Sequence, residues 1–190
     1  MSVLQKISRA LFQSVTLRTA GFNTIDAASM HEGTKLFSSA LMFIGAAPGS
    51  TGGGIKVTTF VVLMATVFSV IRNRYDTIVM KRRVDKEVVY KSLAITVLAG
   101  LALVITTCII GFDKRNFKTV DIIFEAFSAM TTVGITTGVS ELASPLSKIV
   151  LMLTMFLGRV GPVSLAYSIT AGFANQKKNE IIPEGKIMVG

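Results

Sequence analysis

Residues 132–137 read Thr132-Val133-Gly134-Ile135-Thr136-Thr137, and they stand between a short amphipathic stretch, residues 119–131, and a long apolar one. A second segment, Arg18-Thr19-Ala20-Gly21-Phe22-Asn23, has the same setting, after residues 4–16 and before another hydrophobic run. Laid on each other by glycine, Thr19 meets Thr132, Gly21 meets Gly134 and Thr24 meets Thr137. A lone Thr-x-Gly means nothing, because these residues combine in many turns. The order of short helix, Thr-x-Gly segment and long apolar span, occurring twice, is an internal repeat.

Composition sets the solvent. With 51% hydrophobic residues, 16% charged residues and a mean hydropathy of +0.61, the chain reads as a membrane protein. The 20 Lys and Arg outnumber 11 acids, yet the basic residues gather beside apolar spans and form no aromatic-interleaved surface, which excludes nucleic acid as the partner. The single cysteine, Cys108, lies in an apolar run and reads as packing against lipid or core, not as a disulfide or a nucleophile. Lys6, Arg9 and Arg18 interrupt the first twenty residues, so the N-terminus does not read as a cleaved targeting segment.

Residues 92–112 carry no charge until the following loop and, as a helix, span about 30 Å of hydrocarbon. Residues 149–174 form a second long apolar helix with one charge, Arg159, near its middle. The third span is interrupted: residues 36–47 and 55–71 are apolar, and between them lies Pro48-Gly49-Ser50-Thr51-Gly52-Gly53-Gly54. No regular helix continues through that heptapeptide. Irregular backbone at membrane depth requires burial in protein or a wet cavity. An arginine at mid-bilayer has the same requirement, so Arg159 is expected to face the pore or the broken helix and to hydrogen-bond carbonyls of residues 48–54. Lys56 has two readings, the same one or a side chain snorkelling to the cytoplasm.

Loop charge gives the orientation. Residues 72–91 hold Arg72, Arg74, Lys81, Arg82, Arg83, Lys86 and Lys91, which puts this loop in the cytoplasm; residues 113–118 and both Thr-x-Gly segments then face outward, and the tail with Lys177 and Lys178 is cytoplasmic. Residues 4–16 and 119–131 are too short to span, and suit re-entrant pore helices whose C-terminal ends turn partial negative charge toward a cation. The alternative is a pair of interfacial helices.

Other polar residues carry less. Gly54-Ile55-Lys56-Val57 lacks the Gly-Lys-Ser/Thr ending of a phosphate-binding loop, so no nucleotide is expected on this chain itself. His31, beside Glu32, has no second ligand at metal-binding spacing and reads as an outer-surface residue. Asp121 and Glu125, one turn apart near a helix start, read as favourable there and as a draw for cations at the outer mouth. No triad or metal cluster points to an enzyme.

Thr132-Val133-Gly134 resembles the TVGYG filter of potassium channels, where backbone oxygens replace the ion's hydration shell, with Ile135 at the Tyr position. Together with Thr19-Ala20-Gly21-Phe22-Asn23, Pro48-Gly49-Ser50-Thr51-Gly52-Gly53-Gly54-Ile55-Lys56 and Gly158-Arg159-Val160-Gly161-Pro162, it makes the whole chain resemble the Trk, Ktr and HKT superfamily of potassium transporters, and within it the membrane subunit of bacterial Ktr systems. The resemblance implies an all-α membrane protein of membrane-pore-membrane repeats, four around one pore. Residues 1–75 match an incomplete third repeat with a pore helix, filter and broken inner helix. Residues 76–91 match a cytoplasmic basic loop, 92–174 a complete fourth repeat and 175–190 a cytoplasmic tail. It implies dehydrated potassium at the carbonyls of Thr19, Ala20, Gly21, Phe22, Thr132, Val133, Gly134 and Ile135. Residues 48–54, with Lys56 and Arg159, would be a gate under the filter, in place of a static break needed only for packing. It further implies sodium as a coupling ion, a homodimer in the plasma membrane, and a cytosolic nucleotide-binding ring that moves the gate. The competing reading is a non-conducting assembly or regulatory protein derived from such a transporter.

Overall fold

The computed structural model describes residues 2–161 apart from 75, 81 and 114. Helix α1, Val3–Thr16, starts in a capping box: the Ser2 hydroxyl accepts from the Gln5 N–H while the Gln5 side chain accepts from the Ser2 N–H. Helix α2, Glu32–Phe43, is capped by His31, whose Nδ1 accepts from Gly33 N at 3.2 Å. The exposed histidine thus has a structural task, satisfying one of the orphan donors of a helix start.

Between α2 and helix α3, Val57–Ile71, the chain leaves helical geometry. The two ends of this excursion are tied: Gly45 N donates to Ile55 O at 2.8 Å, Val57 N to Ala46 O at 3.3 Å, and Ile44 bridges Ile55 in parallel. Gly49 and Gly54 take left-handed conformations that residues with a Cβ avoid. The result is a pinched loop, with its backbone bonds made across its neck.

Strands β1, Ile78–Val79, and β2, Arg82–Arg83, form a small antiparallel hairpin within the basic loop, a minor exception to the all-helical expectation. Helix α4, Lys86–Gly111, follows; its 26 residues extend about 39 Å, ample to cross hydrocarbon, and it starts inside the segment read as a loop. Helix α5, Thr119–Met130, is the short helix before the second Thr-x-Gly segment. A single turn, α6, Val139–Leu142, leads to α7, Pro145–Val160, where Ser144 accepts from Ser147 N and Pro145 opens the helix. Residues 162–174 of the expected apolar span and the tail 175–190 lie outside the described residues.

Helix α5 is the hub, packed against α2, α4 and α7, while α4 also contacts α3 and α7. Phe124, Met130, Ile55 and Ile135 are fully buried around it. Thr106 and Thr154 bring their hydroxyl oxygens to 2.7 Å across α4 and α7. Such small polar contacts suit helices associating in lipid, where apolar burial alone gives no preference for protein over acyl chain. The outward surfaces are apolar: Val97, Leu101, Val104 and Ile105 of α4 and Ile149, Met152, Leu153 and Phe156 of α7 are exposed, and so is Cys108.

Candidate functional site

The two Thr-x-Gly segments share a backbone. Thr19 and Gly21 have φ of 70° and 74°; Thr132 and Gly134 have 57° and 85°. Left-handed threonine costs about 1–2 kcal/mol, so its presence at both equivalent positions marks a conformation that the surroundings impose. Each segment is strapped to its preceding helix by a hydroxyl. Thr16 Oγ1 donates to Phe22 O and accepts from Phe22 N, both at 2.9 Å, while Ser128 Oγ donates to Ile135 O at 2.6 Å. The carbonyls after the two glycines are therefore engaged. Among the described residues, no donor reaches the carbonyl oxygens of Thr19, Ala20, Gly21, Thr132, Val133 or Gly134.

The segments touch each other. A Cβ added at Gly21 would fall 2.3 Å from Val133 O, so only glycine permits this approach. The glycine loop between α2 and α3 lies against both. A Cβ at Gly52 would meet Thr19 Cγ2 at 2.9 Å, one at Gly53 would meet Thr132 Cγ2 at 2.8 Å, and Gly53 N donates to Thr132 Oγ1 at 2.9 Å. Gly52 and Gly53 are buried here, whereas Pro48, Gly49, Ser50 and Thr51 form the exposed half of the loop.

Two cations grip the loop at residues 50–52. Lys56 Nζ donates to Gly52 O at 2.5 Å and to Ser50 O at 3.2 Å, so the side chain turns back onto the loop. Arg159 Nη1, arriving from α7, donates to the carbonyl of the residue between, Thr51. The neighbour of Arg159 makes that approach possible. Gly158 lies so close to the end of α5 that a Cβ there would stand 1.8 Å from Met130 O.

A family model for TrkH, the cation transport proteins, matches residues 1–179. The chain belongs to the TrkH family. It is 36% identical to the Ktr system potassium uptake protein B of Bacillus subtilis across 100% of this chain and 42% of that protein, and 40% identical to the Ktr system potassium uptake protein B of Vibrio alginolyticus across 83% and 34%. The potassium transporter TrkH from Vibrio parahaemolyticus superposes with a TM-score of 0.73 over 92% of this chain and 39% of its own, at 22% identity, which establishes the shared fold. The chain thus spans less than half the length of the relatives it matches. Membership makes it an all-α membrane protein of a transporter family.

Two features of this TrkH-family chain escaped the sequence reading. Lys35, buried on α2, pairs with Asp121 of α5 at 2.7 Å and donates to Ala28 O at 2.9 Å. Glu125, also buried, accepts from Thr136 Oγ1 at 2.8 Å, Thr137 N at 3.0 Å and Ser140 N at 3.3 Å, clasping the chain just after the second segment. Asp121 stands in the first turn of α5, where an acid is favourable, and both acids are committed to protein partners. The available signal was the cost of an ionised group in an apolar helix, which demands a partner elsewhere in the chain. Naming that partner requires the tertiary structure.

Proposed function

We propose that this chain forms part of the wall of a potassium-translocating path, with the carbonyls of Thr19, Ala20 and Gly21 and of Thr132, Val133 and Gly134 as ion ligands. The observation carrying this reading is the paired backbone: left-handed residues at every second position in both segments, and six carbonyl oxygens to which no described residue donates. In a strand successive carbonyls alternate sides; left-handed residues at alternate positions bring them to one side, as replacement of a hydration shell requires. The carbonyls of Phe22 and Ile135, already holding hydroxyls, are structural anchors that keep a lone pair for the ion. Residues 1–75 and 92–174 act as one incomplete and one complete repeat, completed around the pore by further filter segments. In the proposed topology both filters face outward, and the basic loop 72–91 and the tail are cytoplasmic.

Residues 48–54 act in this reading as a gate under the filter. The contacts of Gly52 and Gly53 with Thr19 and Thr132 support an obstruction there, and Lys56 and Arg159 hold it by its carbonyls. Two positive charges beneath a cation path add an electrostatic barrier that falls when the loop moves. A cytosolic nucleotide-binding ring on a homodimer is the proposed mover, and sodium the proposed coupling ion; the chemistry is translocation, with no bond broken. Gly134→Ser in the intact transporter tests the filter: potassium affinity and selectivity should fall, and unchanged values would refute the assignment. Deleting residues 49–54 should raise flux in the absence of the regulatory ring, and unaltered flux would exclude an obstructing loop.

A further inference from the structure

Away from the proposed path, the end of α3, the hairpin and the first turns of α4 enclose two adjoining cavities of about 290 and 350 Å³. The first is mixed in lining: Ser69, Thr77 and Tyr90 supply hydroxyls, Arg74 and Lys86 positive charge, and Val70, Val84 and Val89 apolar wall. The second is bordered by Ala65, Phe68 and Ile78 along with Arg72, and Ser69 and Arg74 line both. One acid, Asp76, faces the first cavity, and Arg83 holds it at 3.0 Å. Among the described residues no carboxylate pairs with Arg72, Arg74 or Lys86.

The position of these cavities is as informative as their lining. Val67, Phe68, Val70 and Ile71 are exposed apolar side chains at the end of α3, and the cations follow at once in the chain. The pair of cavities therefore straddles the line where the hydrocarbon-facing surface ends and the basic loop begins. A small soluble anion would answer the arginine and lysine but leave the Phe68 cavity and the apolar flank unoccupied. A ligand with a phosphate joined to a hydrocarbon tail answers both, and basic pockets at the cytoplasmic ends of membrane helices are suited to anionic headgroups.

We propose that this double cavity binds one anionic phospholipid, its phosphate between Ser69, Arg74 and Lys86 and an acyl chain along Ala65, Phe68 and Ile78. The proposal rests on membrane embedding and is independent of the ion path. Native mass spectrometry of the purified protein with phosphatidylglycerol or phosphatidylcholine tests it. Phosphatidylglycerol should bind preferentially, and R74Q/K86Q should weaken it about thirtyfold while leaving phosphatidylcholine binding unchanged. R74K/K86R should keep the preference, as should R82Q, which removes an exposed charge lining neither cavity. Equal binding of the two lipids would overturn the proposal, and so would an R82Q loss as large as that of R74Q/K86Q, which would indicate a diffuse field. Displacement of phosphatidylglycerol by inorganic phosphate at equal concentration would reassign the site to soluble anions. Since no transport is measured, failure here leaves the potassium path standing.

Discussion

The two pairs of short helix and Thr-x-Gly segment are nearly alike in backbone and opposite in surroundings. Helix α5 buries Ile122, Phe124, Glu125, Ala126, Ser128, Ala129 and Met130 among α2, α4 and α7; α1 buries Thr16 alone and packs against no other helix among the described residues. On α1, Val3, Leu4, Ile7, Leu11 and Val15 are all more than half exposed. Yet Thr19 and Gly21 adopt the same left-handed pattern as Thr132 and Gly134, and a helix hydroxyl straps the carbonyl after each glycine. The segment's conformation is thus carried by a few local bonds and by its twin, whereas the helix leading into it needs tertiary partners.

The sharpest way to break this comparison is to strip α5 of its advantage. Gly158→Ala places a Cβ 1.8 Å from Met130 O, an overlap with backbone that no rotamer relieves, so α7 must part from α5. A loss of about 5 kcal/mol or more is expected, which belongs to the exceptional class of single substitutions. Thermal melts in detergent, followed by helical circular dichroism, should show collapse of the fold; a near-native melt would mean that the packing of α5 matters far less than its burial suggests.

Next in size is the buried charge pair that joins α2 to α5. Lys35→Met leaves Asp121 with its charge and without its cation, at an expected cost of about 3–5 kcal/mol. Pairing it with Asp121→Leu should restore most of the loss, since a buried pair replaced by apolar residues is often neutral. A double variant as unstable as the single one would show that the pair fixes the geometry of α5 and not merely its charge balance.

A third test separates the twins. Gly21 and Gly134 both have positive φ, but only Gly21 faces an obstacle: a methyl group added there would stand 2.3 Å from Val133 O, while around Gly134 nothing lies within 4 Å. Gly134→Ala should cost about 1–2 kcal/mol for the left-handed backbone alone. Gly21→Ala adds overpacking of about 1–3 kcal/mol. Melts of the two variants measure the difference directly, and equal losses would mean that the two segments do not lie side by side as described.

The parts legible in the sequence were those with local causes. Residues 92–112 lacked charge and became most of α4; the Pro-Gly-rich heptapeptide interrupted its helix because those residues forbid continuation. The Thr-x-Gly equivalence was visible because glycine at a left-handed position leaves a mark. Arg159 announced its need for a polar partner, although not that Thr51 would supply it. Lys35 with Asp121, and Glu125 with residues 136–140, were invisible because each pairing depends on how α2 and the post-filter turn fold over α5. The same reason left Lys56 undecided: snorkelling and folding back require the same side chain and differ only in what lies behind it. The small hairpin lacked even a turn signal, its strands being two residues each.

The smallest expected effect concerns how the well-packed half is closed at its loop end. Asp113 follows α4 and receives hydrogen bonds from Ser144 N and Ser147 Oγ, both at 2.8 Å, so it ties the end of α4 to the start of α7. These donors, the Ser144 N–H foremost, lower its pKa from 3.8 to about 2. A carboxylate held below its usual value adds stability that is fully present above the unfolded value and is lost as pH falls through the folded one. The difference in melting temperature between the native chain and Asp113→Asn should therefore be constant above pH 3.8 and close as pH falls toward about 2. The effect should be modest, because the loop is in contact with water. It also bears on the asymmetry between the twins: no described carboxylate bonds either end of α1, so an acid titration in this window should loosen the α4–α7 closure and leave the hydroxyl strap from Thr16 to Phe22 in place. A difference between native chain and variant that persisted unchanged down to pH 2 would mean that Asp113 acts through shape and not through charge.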